Sequence, residues 1–242
     1  MRRAIGWLLA VMALAFVPAV AFAEGVAQDT QTEVVEVAVE GVNTIDAVGT
    51  THEVAGNTFE VTSSSLKTVA FTKSKNAKSI TVPAKVKING KYHKVTSIGS
   101  KAFAPAKKKL TKVVIGKNVT VIGASAFAGC KKLAQVTGGA SVKTIAAKAF
   151  LGCERLKDCA PFSSKALTKV GKSALKKTKR LKTLTVKSKK LEKESVTGAL
   201  KGSSVKTVKV APGTKKLNKK YAEKYKKIFT KKNCGKKVVV KA

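Results

Sequence analysis

Residue types that usually carry catalysis or metal binding are scarce in this chain. Its 242 residues include only two histidines, four cysteines and one tryptophan, and aromatic residues make up 5% of the total. The histidines, His52 and His93, both precede the first cysteine, Cys130, and no two cysteines are spaced as C-x-x-C. A zinc site needs several such ligands close together. The sequence therefore predicts no metal site and no cofactor.

Acidic residues are almost missing from the larger part of the chain. From Lys67 to the end there are five acidic and 47 basic residues, and no acid occurs between Glu60 and Glu154. Acyl transfer needs a nucleophile, a base and an orienting carboxylate together. Glycine-rich loops that would cradle a phosphate are missing as well. We therefore predict that the protein is not an enzyme.

The basic excess also has a one-sided distribution along the chain. Residues 24–66 contain eight acids and no lysine or arginine, a formal charge of −8, whereas residues 67–242 have a formal charge of +42. Such an excess repels itself, so it favours a partner that is an anionic polysaccharide or wall polymer. A solvated surface that serves only solubility is the alternative.

Arginine and exposed aromatic residues, the usual readers of nucleic acid, are few. Lysine accounts for 45 of the 49 basic residues, and Trp7 lies in the apolar run that opens the chain. Sequence-specific recognition of nucleic acid relies on arginine forks or aromatic stacking. We expect no such recognition here, and any non-specific binding would weaken steeply with salt.

Only one long apolar run is present. Two arginines precede it, and it leads to Pro18 and the small-x-small site Ala21-Phe22-Ala23. This order predicts a secretory signal peptide over residues 1–23, cleaved after Ala23. An uncleaved anchor is the alternative, because the run is just long enough to span a bilayer. We expect a mature chain without a transmembrane span that is secreted or held non-covalently at a cell surface.

A phrase of about two dozen residues recurs four times. Its copies begin at Ile98, Ile122, Ile145 and Val170, which gives offsets of 24, 23 and 25 residues. Each copy continues as x-x-x-Ala-Phe, or as x-x-x-Ala-Leu in the fourth. A leucine follows each copy with nearly the same period; these are Leu110, Leu133, Leu156 and Leu181. A period in this range is typical of a solenoid.

The recurring apolar residues predict a shared interior. After each leucine the pattern Leu-x-x-Val-x-Ile, as in Leu110 to Ile115, has the near-alternation of a short strand, so stacked copies would form a parallel sheet. The Ala-Phe part is too short for a regular helix and predicts a tight turn whose phenylalanine fills the inside of each coil. Burying one aromatic side chain contributes roughly 2 to 3 kcal/mol, but a single coil cannot bury it alone.

These residues resemble the BspA-like leucine-rich repeat, which is found in bacterial and protist surface proteins. The resemblance covers residues 95–210, with the Ala-Phe-x-Gly-Cys signature complete at 126–130 and 149–153. Leu175 and Thr178 replace the phenylalanine and cysteine of the fourth copy, and a weaker fifth copy begins near Ala199. The resemblance implies an α/β fold, a leucine-rich-repeat solenoid of about five repeats of 23–25 residues. It also implies adhesion to host matrix proteins or to other cells.

Cys130 and Cys153 occupy the same repeat position and would stack at the strand spacing of roughly 4.8 Å. A disulfide is geometrically possible there in an exported protein. Alternatively, both are free and buried, since the resemblance implies a small buried residue at this position. The sequence leaves both states open.

Three segments flank the repeats. Residues 24–52 form an acidic arm that is either flexible or folded back on the basic body. Residues 53–94 are β-rich, with a hairpin predicted at Asn89-Gly90, and resemble the N-terminal cap of this family. Residues 211–242 form a C-terminal cap, with a helix at about 218–232 and a final strand.

Two groups of residues are candidates for binding. The first lies between the buried residues of each strand and would face outward; it comprises Lys112, Val114, Gln135, Thr137, Asp158, Thr183, Thr185, Thr207 and Lys209, with Ala160 beside them. The second, called here the cationic rim, precedes each leucine; it comprises Lys108, Lys109, Lys131, Lys132, Arg155, Lys179 and Arg180. Cations repeated at about 5 Å would hold a linear polyanion collectively. The expected partner is a host matrix or cell-surface protein or an anionic polymer, and the oligomeric state is open.

Overall fold

The computed structural model describes residues 47–242. The predicted signal peptide and residues 24–46 of the predicted acidic arm lie outside this range. In the described part the chain winds into a solenoid of stacked coils joined by parallel strands, which confirms the predicted fold class. In chain order the strands are β1 (Thr51–Val54), β2 (Asn57–Ser63), β3 (Thr68–Lys73), β4 (Ser79–Val82), β5 (Lys85–Ile88), β6 (Lys91–Ile98), β7 (Lys112–Ile115), β8 (Val121–Ile122), β9 (Gln135–Gly138), β10 (Thr144–Ile145), β11 (Asp158–Cys159), β12 (Lys169–Val170), β13 (Thr183–Val186), β14 (Thr207–Val210) and β15 (Val239–Lys241).

One side of the coils, called here the front, is built from the Leu-x-x-Val-x-Ile pattern. Strands β4, β7, β9 and β11 form one parallel sheet, and β13, β14 and β15 form another. The register is regular, since Lys112 pairs with Gln135 and Gln135 with Asp158. Within β7 the side chains of Val113 and Ile115 are buried, because alternate residues of a strand point to opposite faces.

A second set of parallel strands, the back ladder, includes the residue that begins each copy of the recurring phrase. The end of β6 pairs with β8, β8 with β10, and β10 with β12. At the N-terminal end of this ladder, residues 94–98 of β6 also pair in parallel with β3, which belongs to the antiparallel series β1-β2-β3. The predicted hairpin is present, with β5 antiparallel to β6 and both Asn89 and Gly90 at positive φ. That this region caps the repeats stays a prediction.

The third side of each coil is the Ala-Phe turn. The rings of Phe103 and Phe127 stack with centroids 4.3 Å apart, and those of Phe127 and Phe150 are 4.9 Å apart and nearly parallel. All three phenylalanines are fully buried, which confirms the predicted interior. The backbone follows the same stacking, because the N–H of Phe127 donates to the carbonyl of Ala149 in the next coil at 2.8 Å.

Glycine before the turn is required by close approach between coils. A Cβ atom built on Gly123 would lie 2.7 Å from the backbone of the preceding coil at Gly99, and one on Gly171 would lie 2.4 Å from the N atom of Ala147. Contacts this short are not tolerated without a backbone shift. Glycine is therefore a packing requirement at Gly123 and Gly171, whereas the third copy has Ala146 at the same position.

Three longer insertions leave the coil at the same place, the corner directly after a front strand. The β5–β6 hairpin follows β4, a 3-10 turn at Ala160–Ser163 follows β11, and the C-terminal helix region follows β14. The equivalent corners after β7 and β9 are short loops, and the corner after β13 runs through residues 187–193 into a 3-10 turn at Glu194–Val196. We call this position the post-strand corner.

The C-terminal helix begins three residues earlier than predicted and ends four earlier. Helix α1 spans Lys215–Ile228 because the hydroxyl of Thr214 accepts a hydrogen bond from the N–H of Leu217 and so caps its first turn. A separate short helix, α2 (Lys231–Cys234), follows and ends at Gly235 in the left-handed conformation. The predicted apolar face is confirmed, since Tyr225, Ile228 and Phe229 are buried. Across residues 47–242, no helix has the length and apolar character that crossing a bilayer requires.

Candidate functional site

The front face holds the first group of candidate residues. All of them lie on the solvent side of their strands and are exposed or half-buried, as the alternation predicts. The paired positions form columns: Lys112, Gln135 and Asp158 in one run, Val114 and Thr137 beside it, and Thr183 with Thr207 and Thr185 with Lys209 further along. Most of these side chains are small, polar and uncharged. Whether they bind a ligand stays a prediction.

The columns are not continuous, which corrects the prediction that every coil contributes a full strand. Strands β11 and β13 are not paired, because Ala160 and the next three residues form a 3-10 turn with Pro161 near its start instead of continuing the strand. A cleft of about 190 Å³ opens at this interruption. Its polar lining includes Thr137, Asp158 and Thr183, and Leu184 lies among its apolar residues.

The cationic rim runs beside the front face. All seven of its side chains are exposed, and successive coils stack there, since the backbone N–H of Arg155 donates to the carbonyl of Lys131 at 3.3 Å. Lys108, Lys131 and Lys132 line a cavity of about 350 Å³ together with Lys107 and Gly129. This part of the rim presents several ammonium groups to one volume of solvent.

One carboxylate interrupts the rim. Nζ of Lys179 lies 2.6 Å from Oε2 of Glu154, in the preceding coil. The hydrogen bond from Lys179 is the main cause that holds the pKa of Glu154 below its usual range, with further Coulombic lowering from Lys131 and Lys177. Glu154 therefore stays ionised and neutralises part of the charge that the rim would offer to a polyanion.

The cysteines are all free and buried. The thiol of Cys153 donates to the carbonyl of Phe127 in the preceding coil at 3.2 Å. Burial raises the pKa of Cys130 to about 12 and raises the pKa of Cys153 as well. These thiols act as packing residues inside the coils and are not reactive groups on the surface.

His93 is fully buried. It lies on β6, where the alternation continues from the hairpin into the core. Among residues 47–242 there is no group of three or more histidine, cysteine, aspartate or glutamate side chains placed to hold a metal ion.

One front strand was missed in the sequence. Strand β4 pairs with β7 and places Ser79 beside Lys112 and Thr81 beside Val114. The alternation Ser79-Ile80-Thr81-Val82 was a usable signal, but the hairpin that follows β4 places this strand 33 residues before β7 and hides the period. Strand β15 lies where a final strand was predicted; it pairs with β14 and places Lys241 beside Lys209.

A family model describes most of this region. The BspA-type leucine-rich-repeat region matches residues 94–228 in six copies, one more than the sequence alone suggested. No curated protein matches the chain.

Several solved structures are similar to the chain. A leucine-rich cell-surface protein from Faecalibacterium prausnitzii A2-165 is 21% identical, with a TM-score of 0.49, and the match covers 66% of this chain and 54% of that one. A leucine-rich-repeat protein from T. pallidum is 23% identical, with a TM-score of 0.50 and coverage of 59% and 63%. A leucine-rich-repeat protein from Bacteroides capillosus ATCC 29799 is 31% identical, with a TM-score of 0.41 and coverage of 48% and 94%. The chain thus matches less than two thirds of the length of the first two.

Proposed function

Because the chain belongs to the BspA-type leucine-rich-repeat family, we propose that it is an exported, non-enzymatic binding module. Its front face and cationic rim would hold an anionic partner at a cell surface. The observation that carries the proposal is the arrangement of side chains on the coils. Columns of mostly uncharged side chains face solvent, and exposed cations from successive coils line one edge of them. Such a row attracts a linear polyanion, with each cation contributing little and the row contributing collectively.

Charge reversal of the rim tests this proposal. Four rim residues, Lys109, Lys132, Arg155 and Arg180, are replaced together by glutamate, and binding to a sulfated polysaccharide is measured at 0.05 and 0.15 M salt. We expect affinity to fall by about tenfold or more, because each exposed pair contributes up to about 1 kcal/mol. The effect should be larger at the lower ionic strength, where screening is weaker.

A matched control has the same change in net charge elsewhere. Lys85, Lys94, Lys143 and Lys169 are exposed and lie on or next to the back ladder and its hairpin. Their replacement by glutamate should reduce affinity much less than the rim variant does. Equal losses in the two variants would show diffuse attraction to the whole surface and would contradict a rim site.

A protein ligand on the front face is the second candidate, favoured by the cleft between β11 and β13 and by the mostly uncharged columns. Binding of a matrix protein that persists at 1 M salt, and that is lost on replacing Thr183 and Thr185 by lysine, would support it over the anionic polymer. Retention on the cell's own anionic wall polymers would use the same rim residues with a different polyanion. Measuring the affinity of the rim for wall polymer and for host sulfated glycan in the same assay distinguishes the two ligands.

A further inference from the structure

A second group of lysines converges at the post-strand corners, away from the cationic rim. Lys165 follows the 3-10 turn after β11, and Lys187, Lys189 and Lys190 follow β13. Together with Pro212, from the corner after β14, these four lysines line one cavity of about 240 Å³. Residues from three successive coils therefore surround a single concave site, which we call the lysine pocket.

The backbone that carries these lysines is fixed by buried serines. Ser188 is fully buried between Lys187 and Lys189; its hydroxyl donates to the carbonyl of Leu167 at 2.5 Å and accepts from the N–H of Lys190 at 3.0 Å. The carbonyl of Ser188 accepts a hydrogen bond of 2.6 Å from the hydroxyl of Tyr225 on α1. The loop is thus held from the preceding coil and from the helix.

The preceding corner repeats this anchoring. Ser164, directly before Lys165, is buried; its hydroxyl donates to the carbonyl of Ala140 at 2.7 Å and accepts from the N–H of Ala166 at 3.2 Å. Because buried hydrogen bonds fix both loops, the lysine stems start from defined positions and need little ordering when a ligand binds. Flexible lysines on a mobile loop would lack this advantage.

Within residues 47–242, no acid lines the lysine pocket and none forms an ion pair with its four lysines. The carboxylates that form ion pairs within residues 47–242 are Glu154, Glu192 and Glu223, and their partners are Lys179, Lys224 and Lys226. None of the four pocket lysines is among these partners, and no acid lines the cavity. Four ammonium groups around one cavity repel each other. A multivalent anion between them attracts all four and so offsets that repulsion.

We propose that the lysine pocket binds a phosphate or sulfate ester group. Both are compact tetrahedral oxyanions whose oxygens accept hydrogen bonds from several ammonium groups at once. The inference deepens the proposed function and rests on it, because the anionic polymer proposed there would supply the ester groups, which recur along such polymers. The lysine pocket follows the front strands along the chain, whereas the cationic rim precedes them, so the two sites lie at opposite ends of these strands.

Titration with small anions tests the pocket directly. Inorganic phosphate and inorganic sulfate are added separately to the full chain at constant ionic strength, and backbone amide resonances are followed by NMR. We expect saturable shifts at residues 164–166 and 187–190 and at Ala211 and Gly213. Non-saturating shifts spread over exposed lysines throughout the surface would overturn the proposal. Comparing the two anions at equal concentration tells which ester the pocket prefers.

Matched variants separate a built site from general charge. Replacing Lys165, Lys187, Lys189 and Lys190 by glutamine should weaken binding of the preferred anion by about tenfold or more. Replacing Lys85, Lys94, Lys143 and Lys169 by glutamine removes the same charge and should change it less than twofold. Equal weakening in the two would overturn the proposal.

Two further variants complete the test. Tyr225→Phe removes the hydrogen bond to Ser188 without changing charge, and we expect it to weaken anion binding several-fold while a thermal melt shows that the chain stays folded. Unchanged binding would show that the loop anchoring is irrelevant and would contradict a preorganised pocket. The rim variant with four glutamates should still bind the small anion at the pocket, so failure of the rim proposal and failure of the pocket proposal give different results.

Discussion

The coils before and after the β11–β13 interruption are built from one repeat but are joined differently. In the first group, Phe103, Phe127 and Phe150 form a continuous stack, and the thiol of Cys153 donates to the neighbouring coil. In the second group Leu175 takes the place of the phenylalanine, and the hydroxyl of Thr178 donates to Leu175 within the same coil.

This difference shows which interactions couple one coil to the next. Side chains of both groups are fully buried at these positions, so burial alone does not distinguish them. The two groups differ in whether these side chains contact the neighbouring coil, as the stacked rings and Cys153 do, or stay within their own coil, as the Thr178 hydroxyl does. In a solenoid such contacts set cooperativity, because each repeat touches only its neighbours. The second group instead gains contacts with α1, through Tyr225 and Ser188.

The largest effect is expected from removing one ring of the stack. Phe127→Ala should reduce the free energy of unfolding by about 4 kcal/mol, and Leu175→Ala, at the equivalent position, by about 2 to 3 kcal/mol. The reason is that Phe127 contacts a ring on each side, whereas Leu175 does not continue the stack. Urea unfolding followed by circular dichroism measures both. An equal or larger loss for Leu175→Ala would contradict the comparison.

The buried thiols provide a second comparison, which is made through the stability of the protein at alkaline pH. Burial raises the pKa of Cys130 from 9.0 to about 12, so the stabilisation is fully present below pH 9 and is lost as the pH rises toward 12, where the unfolded chain releases the proton first. The slope is about 1.4 kcal/mol per pH unit for one such thiol.

A variant isolates this contribution. Cys130→Thr places at this position the residue type found at Thr178, and its unfolding free energy should fall less steeply than that of the unmodified protein between pH 9 and 11. Comparing slopes removes the effects of Tyr225 and of the lysines, which are shared. Identical slopes would mean that Cys130 does not titrate as a buried group.

A smaller effect is expected at the glycine before the turn. Gly123→Ala should cost about 1 to 3 kcal/mol, because the added Cβ would lie 2.7 Å from the preceding coil. The equivalent residue one coil later is Ala146, so Ala146→Gly is the matched control and should cost no more than about 1 kcal/mol. Thermal melts of the two variants give the comparison. A tolerated Gly123→Ala would mean that the coils can separate locally.

The interior and the outward columns were predictable from the sequence because both follow from periodicity. Phe127 and Phe150 share a phrase position, so their stacking required only that the phrases overlie one another. Thr183 and Thr207 face solvent for the same reason, since a strand alternates. Both patterns can be identified from the residues of a single repeat, without knowing how distant parts of the chain pack.

The features that the sequence did not predict involve residues that are not part of the repeating pattern. Pro161 and Phe162 turn the chain after β11, and no regular copy contains this step. The lysine pocket could not be predicted, since Lys165 and Lys190 are 25 residues apart and meet only because the corners stack. Likewise, the bond between Tyr225 and Ser188 depends on where α1 packs, which the spacing of its apolar face does not specify.

The post-strand corner explains how this chain changes length without losing its register. A hairpin, a 3-10 turn and a helix have all been accommodated there, while the strands before and after them keep their pairing partners or start a new sheet. A segment grafted at the short corner after β7, between Gly116 and Val119, would project from the same side as the natural inserts. The fold therefore offers a preferred splice point, at which new recognition loops are acquired in evolution or in design without rebuilding the core.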